Sequence, residues 1–126
     1  MESRYRMVST PENRASDPAS EPEPPPSCPA DPLLRLLWGQ WKTHVLYRLG
    51  EAGPLRFGAL GRSVAGISPK MLTQRLRELE RDGLVWREHE PTIPPRVTYG
   101  LTEMGRDVHA ALKGLDAPAR RWMGEG

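Results

Sequence analysis

Residues 68–82 carry a pattern of side chains suited to binding nucleic acid. On a helix, where each residue turns by about 100°, one side presents five polar or basic side chains and no acid. This set, called the α-stripe below, is Lys70, Thr73, Gln74, Arg77 and Arg81. Gln and Arg can form paired hydrogen bonds with adenine and guanine edges, and Lys and Arg bind phosphate. A surface helix with no role beyond the fold also carries such residues outside, so the pattern alone leaves both interpretations open.

The elements around the α-stripe favour the nucleic-acid interpretation. Ser68 is a good N-cap, Pro69 suits the first helical position, and Gly83 ends the pattern. The opposite face holds Leu72, Leu76 and Leu79, which predicts a core contact. A shorter amphipathic segment, 56–64, precedes it across the run AGISPK. This spacing predicts a helix-turn-helix whose second, recognition helix spans 68–82.

A hairpin is predicted after the recognition helix. Residues 84–90 and 96–101 alternate with period two, and the stiff run PTIPP separates them. The order helix, helix, helix, hairpin is that of a winged helix, with the wing at 84–101. Its arginines, Arg87 and Arg96, would suit phosphate or minor-groove contact, although they also serve as plain solubilising charges. The predicted fold class is therefore mainly α with a small β-hairpin.

The two terminal helices predict a homodimer. The first begins at Asp31 and Pro32 and continues to residue 49, and the last runs from Thr102 to residue 122 with an interruption at Pro118. Their apolar stripes exceed what a small core can cover, so a second copy is expected to meet them. The alternative, that both helices only complete the monomer core, stays open. The candidate interface residues are Leu33, Leu34, Leu37, Val108, Leu112, Leu115 and Trp122.

Composition bounds the class of protein. The chain has 126 residues, a net charge of +2 and one Cys. One cysteine and three scattered histidines disfavour a disulfide scaffold, a bound metal or a cofactor. Neither an apolar leader nor a membrane span is predicted, so a cytoplasmic protein is expected. The run 1–30 is Pro-rich and acidic, which predicts a disordered tail, and the basic remainder, 31–126, is expected to form one DNA-binding domain with terminal dimerisation helices.

Enzymatic chemistry is disfavoured by the absence of its common motifs. The chain contains no GxxxxGK, GxSxG or HExxH motif, and no nucleophile has an evident base beside it. A winged-helix module for protein–protein contact, without specific DNA binding, is the stronger alternative. The acid-free α-stripe argues against it.

The run GISPKMLTQRLRELERDGLV, followed by PPRVTYGLTEMG, resembles the HxlR-type family of winged-helix bacterial transcription regulators. The resemblance extends through CPADPLLRLLWGQWK and covers roughly residues 28–122. It implies a dimeric DNA-binding regulator whose first and last helices form the interface. Gln40 departs from the family pattern, where a lysine is common, and Thr43 and His44 stand at mostly aliphatic positions. The expected DNA-binding residues are Arg56, Ser68, Pro69, Lys70, Thr73, Gln74, Arg77 and Arg96.

Cys28 is the remaining candidate for chemistry. The resemblance places Cys28-Pro29 where several such regulators carry a thiol sensor. With one cysteine per chain, oxidation would give an intersubunit disulfide, a mixed disulfide or an adduct. A cysteine that only marks the domain edge is the competing interpretation. The expected function is a repressor, or a regulator responsive to an oxidant or small-molecule effector, that binds an inverted-repeat operator as a homodimer.

Overall fold

The computed structural model describes residues 28–124, so most of the predicted tail, 1–27, lies outside the described residues. The chain divides into two units between Arg35 and Leu36. Within the first unit, the described residues begin helix α1, Asp31–Leu36, where Arg35 Nε donates a 2.8 Å hydrogen bond to Asp31 Oδ2. The i, i+4 spacing of this pair stabilises the first turns of the helix.

The second unit is mainly helical with one small sheet. In chain order, the further elements are α2 (Lys42–Ala52), β1 (Leu55–Arg56), α3 (Phe57–Ser63), α4 (Pro69–Arg81), β2 (Val85–Glu90), β3 (Arg96–Leu101), α5 (Glu103–Lys113) and α6 (Asp116–Met123). This order is that of a winged helix, so the predicted fold class is confirmed. The recognition helix and the wing lie within a residue of the predicted bounds.

The prediction of one continuous first helix is wrong. The chain leaves the helical conformation after Leu36 and resumes it at Lys42, with Gly39 at φ +125° and Trp41 at φ +80° between them. A left-handed backbone at tryptophan is uncommon, so the apolar periodicity through residues 37–41 gave no sign of this break. Gly50 lies inside α2, which ends at Ala52 with Gly53 as its C-cap.

The sheet has one more strand than the predicted hairpin. Strands β2 and β3 pair antiparallel over their full length, from Val85 opposite Leu101 to Glu90 opposite Arg96. The two-residue strand β1 pairs with the other edge of β3, which gives the order β1-β3-β2. Two residues are too few to show the alternation of apolar and polar side chains that indicates a strand in a sequence. Leu55–Arg56 is therefore recognisable as a strand only by its pairing with β3.

The last helix is also divided. Helix α5 ends at Lys113, and α6 begins at Asp116, before the predicted interruption at Pro118. Pro118 lies in the first turn of α6, where its missing N–H costs no helical hydrogen bond. Thr102 is the N-cap as predicted: its Oγ1 accepts a 3.1 Å bond from the Gly105 N–H and donates at 2.6 Å to the Gly83 carbonyl.

Apolar side chains from α2–α5 and the sheet meet in one core, to which α1 and α6 add no buried residue. Among residues 28–124, the buried hydrophobic side chains are Val45, Leu46, Leu49, Leu60, Val64, Leu72, Leu76, Leu79, Leu84, Val85, Leu101 and Val108. The inward face of α4 supplies three of them, as its period predicts. Val108, expected at a dimer interface, is 4% exposed and belongs to this core, which leaves it little surface for a second copy.

Candidate DNA-binding surface

Helix α4 presents the α-stripe to solvent while its other face is buried. Lys70, Gln74, Arg77 and Arg81 are exposed and Thr73 is half-buried, and together they line one open groove along the helix. The structure therefore brings these five predicted residues onto one face. Such a surface offers guanidinium, ammonium and amide donors to a partner without unfolding any part of the helix.

The N-terminus of α4 is fixed by the residues that the sequence singled out. Ser68 Oγ accepts a 3.0 Å hydrogen bond from the Met71 N–H, and Pro69 occupies the first helical turn. Such a cap typically stabilises a helix by about 1 kcal/mol. Both residues are exposed beside Lys70, so they lie on the surface predicted to bind DNA.

Two acids border the α-stripe, and the sequence pattern gave no indication of their roles. Glu78 accepts a 3.4 Å hydrogen bond from Gln74 Nε2, and Glu80 Oε1 lies 3.5 Å from Arg87 Nε. Both acids are therefore engaged by neighbouring donors. A helical wheel places them beside the stripe but cannot show which cations they meet.

Glu78 also joins α4 to α2 through Lys42, a residue that sequence reasoning missed. Lys42 is 7% exposed, its Nζ lies 3.6 Å from Glu78 Oε1, and it donates a 3.2 Å bond to the Leu36 carbonyl. Arg75 Nη1 contacts the same carboxylate oxygen at 2.8 Å, and its Nε donates to the Gln40 carbonyl. The hydrogen bond from Arg75 is the main cause that lowers the pKa of Glu78. This cluster connects α4 to the start of α2 and to the segment that precedes it.

The wing brings Arg56 and Arg96 to a common cleft. Both side chains are exposed, and they line an opening of about 400 Å³ together with Phe57, Pro94 and Pro95. Arg56 reaches this place because β1 pairs with β3, opposite Thr98. Arg56 and Arg96 therefore share one cleft at the edge of the wing, whereas Arg87 lies on the side of the wing that faces α4.

Apolar surface remains on the terminal helices. Trp122 is 72% exposed and Leu115 59% exposed, whereas Leu112 is half-buried in the wall of a groove of about 950 Å³. That groove runs between α2 and the last two helices and is also lined by His44 and Tyr47. Of the other predicted interface residues, Leu34 is exposed and Leu33 and Leu37 are half-buried.

Cys28 is a free, exposed thiol. Its carbonyl accepts a 2.9 Å hydrogen bond from the Asp31 N–H, which places it one turn before α1. Across residues 28–124 no cluster of three or more His, Cys, Asp or Glu side chains is arranged to hold a metal ion. None of the helices in this range is long and apolar enough to span a bilayer.

Comparison with known proteins identifies the family. The HxlR-like helix-turn-helix family matches residues 36–126. The chain belongs to this family. A relative from Halalkalibacterium halodurans, BH0655, named as an uncharacterized HTH-type transcriptional regulator, is 46% identical over 82 residues, 65% of this chain and 73% of the relative.

Solved structures of regulators show the same fold. The reduced transcriptional regulator YodB of Bacillus subtilis superposes with a TM-score of 0.67 at 33% identity, covering 80% of this chain and 99% of YodB. The oxidized redox regulator HypR gives a TM-score of 0.66 at 36% identity, covering 75% and 96%. The HxlR-like family assignment confirms a transcriptional regulator of the winged-helix type rather than an enzyme.

Proposed function

We propose that the chain is a homodimeric regulator that binds an inverted-repeat operator, with α4 in the major groove and the wing on the adjacent backbone. The observation that carries this proposal is the α-stripe: five basic or polar side chains face outward on a helix whose other face is buried. In a symmetric dimer, two such helices would enter successive major grooves about 34 Å apart. Binding to chromosomal DNA places the protein in the cytoplasm.

Within this complex, Lys70, Gln74 and Arg77 contact base edges or flanking phosphates. Ser68 and Thr73 add hydroxyl contacts, and Pro69 approaches the backbone. Arg56 and Arg96 hold the wing edge against phosphate or the minor groove. The support for these assignments is the shared exposure of the α-stripe and the common cleft of the two arginines.

The dimer would form through the terminal helices. Exposed Leu115 and Trp122, with Leu112 in the groove beside them, offer an apolar surface that a second copy can cover. Leu33 and Leu34 would contribute from α1, and Leu37 from the segment that follows it. Covering such side chains is favourable because it removes apolar area from water.

Arg77 provides the test of the DNA contact. In binding to DNA from upstream of the protein's own gene, Arg77→Ala should lose about 1–3 kcal/mol, roughly 5- to 150-fold in affinity. If Arg77 reads guanine, base preference also relaxes. The matched control is Arg120→Ala, which removes the same charge from an exposed position on α6. Equal operator affinity of Arg77→Ala and wild type would exclude Arg77 from the site.

Cys28 is the proposed redox element. Its exposure would allow two thiols, one from each subunit, to lose two electrons and two protons to an oxidant such as diamide and form a disulfide. The similarity to regulators described in reduced and oxidized forms, HypR among them, supports this step. Diamide should abolish operator binding by wild type and leave Cys28→Ser unaffected. If diamide does not change operator binding by the wild type, the proposed redox role of Cys28 is excluded, and the proposed DNA-binding function is unaffected.

A further inference from the structure

A small cleft separates the recognition helix from the wing. It encloses about 210 Å³, and its walls are Thr73, Leu76, Arg77 and Glu80 from α4 and Arg87 and Tyr99 from the sheet. Buried Leu76 forms an apolar part of the wall. Two guanidinium groups, a phenol and a hydroxyl thus surround a space large enough for one phosphate group, with a single carboxylate opposing them.

The sheet register places Arg87 and Tyr99 on the same side. They are direct partners in the β2–β3 pairing, and directly opposite residues of an antiparallel pair project from one face. The next pair, Trp86 and Gly100, faces the other way, where the indole ring lies over the glycine. The two polar side chains are therefore fixed toward α4 by the sheet itself.

The polar groups of the cleft are held only loosely. Arg87 Nε and Glu80 Oε1 are 3.5 Å apart, at side-chain exposures of 47% and 40%. Exposed pairs of this kind contribute at most about 1 kcal/mol, so a better partner can displace Glu80. Within residues 28–124 the Tyr99 hydroxyl forms no hydrogen bond. Burial is the main cause that raises its pKa, so it stays a neutral donor at physiological pH.

We propose that this cleft is a binding site for a DNA backbone phosphate, held by Arg77, Arg87 and Tyr99. Glu80 occupies Arg87 in the free protein and is displaced when DNA arrives. The inference rests on the proposed function, because α4 in the major groove carries the flanking strand past the wing side of the helix. A bidentate, charge-assisted contact between guanidinium and phosphate is stronger than the loose Arg87–Glu80 pair.

Arg87→Ala tests the site in fluorescence-anisotropy titrations of operator and random-sequence duplexes across a salt series. Loss of one phosphate contact should weaken binding to both duplexes about equally, by roughly 5- to 50-fold at low salt, and reduce the slope of log K against log salt by about 0.9. Tyr99→Phe should weaken binding severalfold without changing the slope, since a neutral donor releases no counterion. Circular dichroism of each variant checks that it is folded before the titrations are compared.

Glu80 allows a sharper test, because its removal should strengthen binding. Glu80→Gln frees Arg87 and should raise affinity severalfold, whereas Glu88→Gln, which removes an exposed acid from the next position of β2, serves as the matched control. In an Arg87→Ala background, Glu80→Gln should give no such gain. If Glu80→Gln raises the affinity equally in the wild-type and the Arg87→Ala backgrounds, the gain comes only from reduced long-range repulsion between Glu80 and DNA. That result would overturn the proposal that Glu80 competes with phosphate for Arg87.

The results separate this inference from the proposed function. If the wild type binds duplex DNA and Arg87→Ala binds with the same affinity and the same salt slope, only the phosphate site is overturned. Wild type that binds no duplex at low salt would overturn the proposed function, and this site with it.

Discussion

Glu78→Gln should destabilise the fold, because the Glu78 carboxylate neutralises a buried ammonium. Lys42 and Glu78 lie 3.6 Å apart, with side-chain exposures of 9% and 21%. Coulomb's law at this distance gives about 1 kcal/mol in water and about 5 kcal/mol at an effective dielectric of 20. Partial exposure places the pair between these limits, so we expect a loss of about 2–3 kcal/mol. For a domain of this size, that lowers Tm by about 10–20 °C.

Urea denaturation at several pH values is the assay. The pKa of Glu78 is lowered in the folded state, so its contribution is present above the ordinary value of 4.5 and disappears as pH falls through the lowered folded pKa. The difference between wild type and Glu78→Gln should therefore be largest near pH 7 and shrink in acid. Glu88→Gln, at an exposed position, is the control and should stay within about 0.5 kcal/mol of wild type.

A second substitution distinguishes a charge effect from lost packing. Lys42→Met in the Glu78→Gln background removes the ammonium that has lost its carboxylate and should recover the part of the stability that the Lys42–Glu78 pair supplies, since apolar replacements of buried ion pairs are often neutral. The part that rests on the 2.8 Å contact between Arg75 and Glu78 should stay lost. Wild-type stability of Glu78→Gln at pH 7, or a loss that does not depend on pH, would show that the charge of Glu78 does not stabilise the fold.

Two further predictions concern the packing of α5. Gly105→Ala should lower the free energy of unfolding by about 1–3 kcal/mol, because an added Cβ would collide with the Leu84 carbonyl oxygen. Gly58→Ala in α3 is the control: its added Cβ would meet only the flexible Arg62 guanidinium, so it should not destabilise the fold. Chemical denaturation measures the stability of both variants, and equal stability of Gly105→Ala and Gly58→Ala would contradict the predicted collision. Glu51→Gln should lower the urea midpoint at pH 7, and the deficit should vanish in acid. The hydrogen bond from Lys113 leads the causes that lower the pKa of Glu51, so its contribution exists above pH 4.5 and is lost as pH falls through the lowered value. A deficit that persists in acid would show that the ion pair is not its source.

The sequence predicts the recognition helix well because local signals define it. Ser68, Pro69 and the spacing of the leucines act within a few residues, and the structure places α4 at Pro69–Arg81. The break before Lys42 requires a positive φ at Trp41, which no local preference favours. Strand β1 likewise exists only through its pairing with β3.

The grouping of the α-stripe on one exposed face was predictable, but the ion pairs around it were not. Helical spacing grouped the α-stripe, since 100° per residue fixes which side chains share a face. Burial of Lys42 and its pairing with Glu78 depend on residues 36 positions apart in sequence, so no local pattern indicates them. The same holds for Arg87 and Glu80, which meet only because the wing lies beside α4.

If α4 and the wing bind DNA, the affinity for DNA depends steeply on salt concentration, and this dependence can be measured in one titration series. Purified reduced protein is titrated against promoter DNA from upstream of its own gene, with random-sequence duplex as the reference, from low to physiological salt. We expect tighter binding to the promoter than to the random duplex, two chains per site and a steep fall of affinity with salt. Absence of specific binding at low salt would contradict the proposed DNA binding and favour a protein-interaction module.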